Sequence, residues 1–94
     1  MVARTQKSDD YFEGPPVLAV EILSPRDSQG EITEKVRIYL AMGVALVWVV
    51  DPNFRTVLVH RPEAEPELFN RTQELSGEPH LPGFRILVAR IFEY

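Results

Sequence analysis

The sequence contains no cysteine, which excludes a disulfide framework, a cysteine-ligated zinc site and thiol catalysis. Long apolar stretches are also missing, since the longest uncharged apolar run, residues 44–50, is far shorter than a membrane span. No apolar segment near the start predicts a signal peptide. We therefore expect a soluble protein of the cytoplasm.

Several common catalytic motifs are absent as well. The five glycines are isolated, so no glycine-rich phosphate-binding loop is predicted. The two histidines lack the spacing of a zinc-binding H-E-x-x-H motif, and no serine lies in a G-x-S-x-G elbow. A zinc hydrolase or a serine hydrolase is not indicated.

The size and charge of the chain set further limits. Ninety-four residues allow one domain, and the 45% apolar and 26% charged contents are typical of a globular protein. A net charge of −4 argues against a basic nucleic-acid-binding module. It does not exclude an enzyme that handles DNA through bound metal ions, because such sites are themselves acidic.

Apolar runs and helical spacing predict four main elements in the order β-α-β-β. Residues 17–23 (VLAVEIL) and 45–51 (ALVWVVD) are typical of strands buried on both faces. Between them, apolar residues at helical spacing predict an amphipathic helix over 31–42. Residues 56–61 form a third strand, and the Asp-Pro-Asn turn before it predicts a hairpin with the second strand.

The remaining segments carry weaker signals. Residues 1–13 are polar and are predicted to form a flexible N-terminal arm, which leaves 14–94 as a single domain. Residues 67–75 are ambiguous and could form an edge strand. A last strand is predicted over 84–88, followed by one helical turn over 89–92.

This order predicts a mixed α/β (α+β) fold in which only one substantial helix is available to cover the sheet. Two strands that are apolar on both faces need cover on both sides, so we expect one apolar face to stay open. A second subunit or a further part of the natural domain could cover it. We therefore predict a homodimer or a higher oligomer.

Glu21 is the residue that most strongly suggests chemistry, since it is a carboxylate inside an apolar strand. Burying a charge is costly unless it meets a metal ion, a cation or hydrogen-bond donors. One interpretation is a ligand for Mg²⁺ or Mn²⁺, which prefer oxygen ligands. The alternative is a carboxylate at the strand end that reaches solvent or pairs with an arginine or lysine.

Other charged residues could complete such a site. Lys35 lies on the inward-facing stripe of the predicted helix and could reach Glu21, although taken by itself it is better explained as a lysine paired with Glu31 one turn away. Asp10 could supply a second metal-binding carboxylate if the N-terminal arm folds back, or it could simply be solvated. Asp51 ends a buried strand and is expected to accept backbone N–H groups in the following turn.

Three segments together resemble a known family. They are GPPVLAVEILSP, EITEKVRIYLAMGVALVWVVDP and LPGFRILVARIF, and they occupy residues 14–25, 31–52 and 81–92. In order and spacing they are similar to the Uma2 family, also called DUF820, which is assigned to the restriction-endonuclease-like PD-(D/E)xK superfamily. The resemblance covers most of the chain.

The resemblance implies a Mg²⁺-dependent (or Mn²⁺-dependent) DNA endonuclease with a mixed sheet flanked by helices. Glu21 would be the acidic residue of the (D/E)xK strand, and Lys35 would supply the lysine from the helix because Leu23 occupies its usual position. Glu31 matches the acidic residue at the helix start, and Tyr39 matches the helix tyrosine.

Two further expectations follow from the resemblance. Family members usually carry an additional N-terminal half, so this domain is expected to lack it. The alternative function is a non-catalytic oligomerisation or interaction module that retains the nuclease fold.

Overall fold

The computed structural model describes residues 2–3 and 16–93 of the chain. Its seven strands are β1 (Val2–Ala3), β2 (Leu18–Ile22), β3 (Leu46–Asp51), β4 (Thr56–His60), β5 (Glu67–Phe69), β6 (Glu74–Ser76) and β7 (Arg85–Leu87). Its two helices are α1 (Gln29–Ala41) and α2 (Val88–Ile91). Strands β1 to β5 form one sheet in chain order, and β6 and β7 pair in a second, smaller sheet.

The main sheet is mixed, as the sequence predicts. Strands β2 and β3 are parallel, with Glu21 opposite Val49, and α1 connects them. Strands β3 and β4 form the predicted antiparallel hairpin, which closes with Asp51 opposite Thr56. Strand β5 pairs antiparallel with β4 on the other side.

Helix α1 begins two residues before the predicted start because Ser28 caps it. The Ser28 hydroxyl accepts the Glu31 backbone N–H at 3.1 Å, and the Glu31 carboxylate accepts the Ser28 backbone N–H at 3.0 Å. This reciprocal pair is a capping box. The helix ends before Gly43, whose φ of 96° is accessible to glycine at little cost.

One face of the main sheet packs against α1. Ala19 of β2 and Val47 and Val49 of β3 contact the buried helix residues Ile32 and Val36. The two helix residues are four positions apart, which places them on the same side of α1. The predicted amphipathic helix thus covers the sheet as expected.

The opposite face packs against the C-terminal part of the chain. Trp48 of β3 shares a core with Leu75 of β6 and Val88 of α2, and both of the latter are almost fully buried. The Trp48 ring also lies 6.0 Å from the ring of Phe84, measured between centroids. The expectation of an open apolar face is therefore wrong, because the β6–β7 hairpin and α2 cover it. The open face therefore no longer supports the predicted homodimer or higher oligomer, which stays a prediction.

Strand β1, near the N-terminus, is an outer strand of the main sheet. Val2 and Ala3 of β1 pair antiparallel with Ala19 and Leu18 of β2. The rest of the predicted arm over 1–13 lies outside the described residues, and the domain boundary stays a prediction. Among the described residues, no helix combines the length and the apolar character that crossing a membrane requires.

Candidate active site

Glu21 lies near the end of β2 and faces α1. Side chains alternate along a strand, so Glu21 shares its sheet face with Ala19, which is buried beneath the helix. Only 17% of the Glu21 side chain is exposed. A carboxylate in this position needs polar partners to offset the loss of hydration.

Two residues of α1 supply those partners. The Tyr39 hydroxyl donates a hydrogen bond of 2.7 Å to Glu21 Oε1, and Lys35 Nζ lies 3.7 Å from Glu21 Oε2. Lys35 and Tyr39 are four residues apart, so both project from the same side of the helix. Each Glu21 oxygen therefore has one partner from α1, and we call these three residues the Glu21 cluster.

The electrostatics of the cluster differ between the two partners. The pKa of the Tyr39 hydroxyl is raised above 10.0 by its hydrogen bond to Glu21, then by burial and by the negative charge of the carboxylate. Tyr39 consequently remains a protonated donor at neutral pH. The Lys35 side chain is 52% exposed, and its longer contact is a weak, screened ion pair that leaves the ammonium accessible to a further anion.

The structure places the other predicted site residues outside this cluster. Glu31 is engaged in the capping box at the start of α1 rather than in an ion pair with Lys35. Asp51 Oδ1 accepts the backbone N–H groups of Asn53 and Phe54, which confirms its predicted role in the turn. Asp10 lies outside the described residues.

The sequence alone did not reveal the hydrogen bond between Tyr39 and Glu21. Tyr39 was connected with the site only through the family resemblance. A signal was nevertheless present, because Tyr39 follows Lys35 by one helical turn on the inward-facing stripe. Any side chain that Lys35 reaches on β2 is also within range of a long side chain at position 39.

The Glu21 cluster offers a metal ion one carboxylate. Within residues 16–93, no group of three or more acidic or histidine side chains converges as a metal site. Mg²⁺ is commonly held by only one or two carboxylates, with water and substrate phosphates as its other ligands. The one carboxylate of the cluster is within that range, whereas it is too few ligands for a zinc site, and the Lys35 ammonium cannot coordinate a metal ion.

A separate groove lies on the other side of α1. Its apolar lining includes Ile32, Val36, Leu58 and Leu68, and His60 also contributes to it. Burial lowers the pKa of His60 below its usual value of 6.5. None of the three residues of the Glu21 cluster lines this groove, so the groove and the candidate site are distinct.

Comparison with a solved structure identifies the class of fold. The chain is similar to the crystal structure of a protein from Anabaena variabilis ATCC 29413, described as a "putative nuclease belonging to DUF820", with a TM-score of 0.78 and 26% identity. The match covers 97% of this chain and 52% of that one, so the chain spans about half the length of its structural relative. The fold is therefore similar to that of this DUF820 protein over the matched half.

Comparison with family models identifies the family itself. The model of Uma2, described as "Putative restriction endonuclease", matches residues 2–89. The chain belongs to the Uma2 family, as the resemblance of the three segments predicted. A comparison with curated proteins gave no match.

Proposed function

We propose that this chain is a metal-dependent DNA endonuclease of the Uma2 type that hydrolyses phosphodiester bonds with Mg²⁺ or Mn²⁺. The observation that carries the proposal is the convergence of Lys35 and Tyr39 on the partly buried Glu21 carboxylate. Membership of the Uma2 family and the likeness to a DUF820 nuclease support the same class of activity.

Glu21 has the role of metal ligand in this proposal. A carboxylate held near the end of a buried strand presents its oxygens in a nearly fixed direction, which favours ion binding. Asp10 is proposed as a second ligand. Held by these residues, Mg²⁺ would supply Lewis-acid polarisation of a phosphate and activation of water, which is the chemistry that the side chains alone do not supply.

Lys35 is proposed to act on the substrate phosphate. Its ammonium is half-exposed and lies 3.7 Å from Glu21, so it can stabilise negative charge that develops on a phosphate beside the carboxylate. Tyr39 has a different role, because its hydroxyl is already committed to Glu21 Oε1. It positions the carboxylate and leaves Oε2 oriented towards Lys35 and the substrate.

A plasmid-nicking assay tests the proposal. We expect the protein to nick supercoiled DNA with Mg²⁺ or Mn²⁺, to lose this activity in EDTA, and to lose it in Glu21→Gln. The matched control is Glu34→Gln, which makes the same chemical change at an exposed residue paired with Arg37. Retention of nicking by the control and its loss in Glu21→Gln would support the site.

The opposite outcome is equally clear. If the folded protein fails to nick DNA with every divalent metal ion tested, the endonuclease proposal is wrong. Thermal melting with and without Mg²⁺ or Mn²⁺ separates metal binding from catalysis. A rise in the melting temperature that Glu21→Gln abolishes supports Glu21 as a ligand even if cleavage requires further chain.

A second candidate function is a non-catalytic oligomerisation or interaction module. The observation in its favour is that Lys35 and Tyr39 already satisfy both Glu21 oxygens, so the cluster needs no metal ion to be stable. Light scattering tests the predicted homodimer or higher oligomer. A stable oligomer without a metal-dependent shift in melting temperature would favour this function.

A further inference from the structure

The arginines that the structure describes divide into two groups by their partners. Within residues 16–93, four of them form ion pairs with carboxylates, namely Arg37, Arg61, Arg85 and Arg90. The other three, Arg26, Arg55 and Arg71, are exposed and form no ion pair within that part of the chain.

All three unpaired arginines follow strand ends at a single edge of the main sheet. Strands β2 and β3 are parallel, so the loop with Arg26 and the turn with Arg55 leave the sheet at the same edge. Strand β4 begins at that edge, and β5, which is antiparallel to β4, ends at the same edge, with Phe69 opposite Val57. Arg71 follows two residues later. We call the surface formed by Arg26, Arg55 and Arg71 the arginine edge.

The candidate active site lies at this same edge. Glu21 is the penultimate residue of β2, one position before the strand ends. The turn that carries Arg55 also exposes 74% of Phe54, a large apolar side chain with no role in the core. An exposed aromatic ring among arginines is typical of surfaces on which nucleic-acid bases stack.

The acidic residues near this edge are mostly occupied by hydrogen bonds of their own chain. Asp27 Oδ2 accepts the Ser24 backbone N–H at 2.8 Å and its hydroxyl at 3.2 Å. Asp51 and Glu31 accept backbone N–H groups in the turn and in the capping box. These carboxylates shape the loops, whereas the guanidinium groups of the arginine edge remain available to an external anion.

The spacing of the arginine edge fits a linear polyanion. Arg26 and Arg71 follow strands three positions apart in the sheet, which corresponds to about 14 Å at roughly 4.8 Å per strand. One strand of duplex DNA carries a phosphate about every 3.4 Å along the helix axis, so this distance spans about four phosphates. Arginine is suited to them because its planar guanidinium can hold two phosphate oxygens.

We propose that the arginine edge binds the sugar–phosphate backbone of DNA and places a phosphate at Glu21, with Phe54 stacking on a base where the bound strand is unpaired. This inference rests on the proposed endonuclease function, which does not itself specify a binding surface. In a chain of net charge −4, the local clustering of unpaired arginines favours the approach of a polyanion to this edge over the rest of the surface formed by residues 16–93.

The test measures binding without cleavage. Glu21→Gln protein is titrated, with Mg²⁺ present, against a short fluorescein-labelled duplex, and anisotropy is read at several salt concentrations. The edge variant carries Arg26→Gln, Arg55→Asn and Arg71→Gln. Asparagine is used at position 55 because Arg55 has a φ of 56°, a backbone conformation that asparagine tolerates.

The control variant carries Arg37→Gln, Arg61→Gln and Arg85→Gln, three arginines that are already paired with carboxylates. Both triple variants lose three positive charges, so a difference between them reports position rather than net charge. We expect the edge variant to bind the duplex at least about tenfold more weakly than the parent protein. The slope of its log affinity against log salt should be smaller in magnitude by about 2 to 3. The control should keep the slope.

The outcomes separate this inference from the proposed function. Equal binding by the two triple variants, or no binding by the parent protein, would overturn the arginine edge even if the wild type nicks DNA. Selective loss of binding by the edge variant would support the edge even if no nicking is ever seen. If the edge variant melts early, single Arg26→Gln and Arg71→Gln variants replace it, each with an expected slope change of about 1.

Phe54→Ala tests the stacking contact by itself. With a labelled single strand as the probe, we expect about fivefold weaker binding or more, because base–aromatic stacking is lost. The residue is exposed, so the melting temperature should change little. Unchanged binding would remove Phe54 from the proposed surface and leave the arginines to their own test.

Discussion

Replacing Tyr39 with phenylalanine removes the hydroxyl group that donates to Glu21 Oε1 at 2.7 Å and leaves the ring in place. Hydrogen bonds to charged groups contribute about 1.5–3 kcal/mol to stability. Because the Glu21 side chain retains 17% exposure, water can partly replace the lost donor, and we expect a loss of about 1–2 kcal/mol. Urea denaturation at neutral pH measures the free energy of unfolding.

A double-mutant cycle assigns this loss to the contact itself. The cycle combines Tyr39→Phe with Glu21→Gln, and we expect a coupling energy of about 1 kcal/mol. The control cycle combines Tyr39→Phe with Glu34→Gln, whose carboxylate pairs with Arg37 and does not contact Tyr39. A Tyr39–Glu21 coupling energy no larger than that of the control cycle, within about 0.3 kcal/mol, would refute our description of the Glu21 cluster.

Two further predictions concern pH and the C-terminal cover. Because the pKa of Tyr39 is raised in the folded state, the contribution of Tyr39 to stability should be complete below pH 10.0 and should be lost as the pH rises through the raised pKa. Denaturation of the wild type and of Tyr39→Phe at several alkaline pH values checks this. A constant difference between their free energies of unfolding would contradict it. Leu75→Ala should cost about 2–5 kcal/mol, because Leu75 is only 1% exposed beneath the sheet; a loss below about 1 kcal/mol in urea denaturation would show that β6 does not cover this face.

The main elements of the fold follow from local patterns. The two strands with continuous apolar sequence, the amphipathic helix and the turn at Asp51 lie where the sequence predicts them, with boundaries that differ by two residues or fewer. Each depends on interactions between residues close in sequence, such as the capping box at Ser28. Glu21 could also be singled out from the sequence, because a charged side chain among apolar neighbours is conspicuous.

The cover on the second face of the sheet was not predictable in the same way. The sequence predicts a strand over 84–88, which contains β7, but the signal over 67–75 stays ambiguous because β6 has only three residues, too few for an alternating pattern to be distinguished from a loop. Leu75 and Val88 become core residues only because the chain folds back onto Trp48. The burial that excludes an open face therefore arises from long-range packing.

The sequence by itself determined that a carboxylate would be enclosed in a strand and that a lysine and a tyrosine would share one side of the next helix. Only the tertiary structure decided that Lys35 pairs with Glu21 and not with Glu31, and that the Tyr39 hydroxyl reaches the same carboxylate. The physical reason is competition between local and distant partners. The capping box engages Glu31 at the helix start, while the parallel crossover brings β2 beneath α1, and neither the distance nor the angle between those two elements is encoded in sequence spacing.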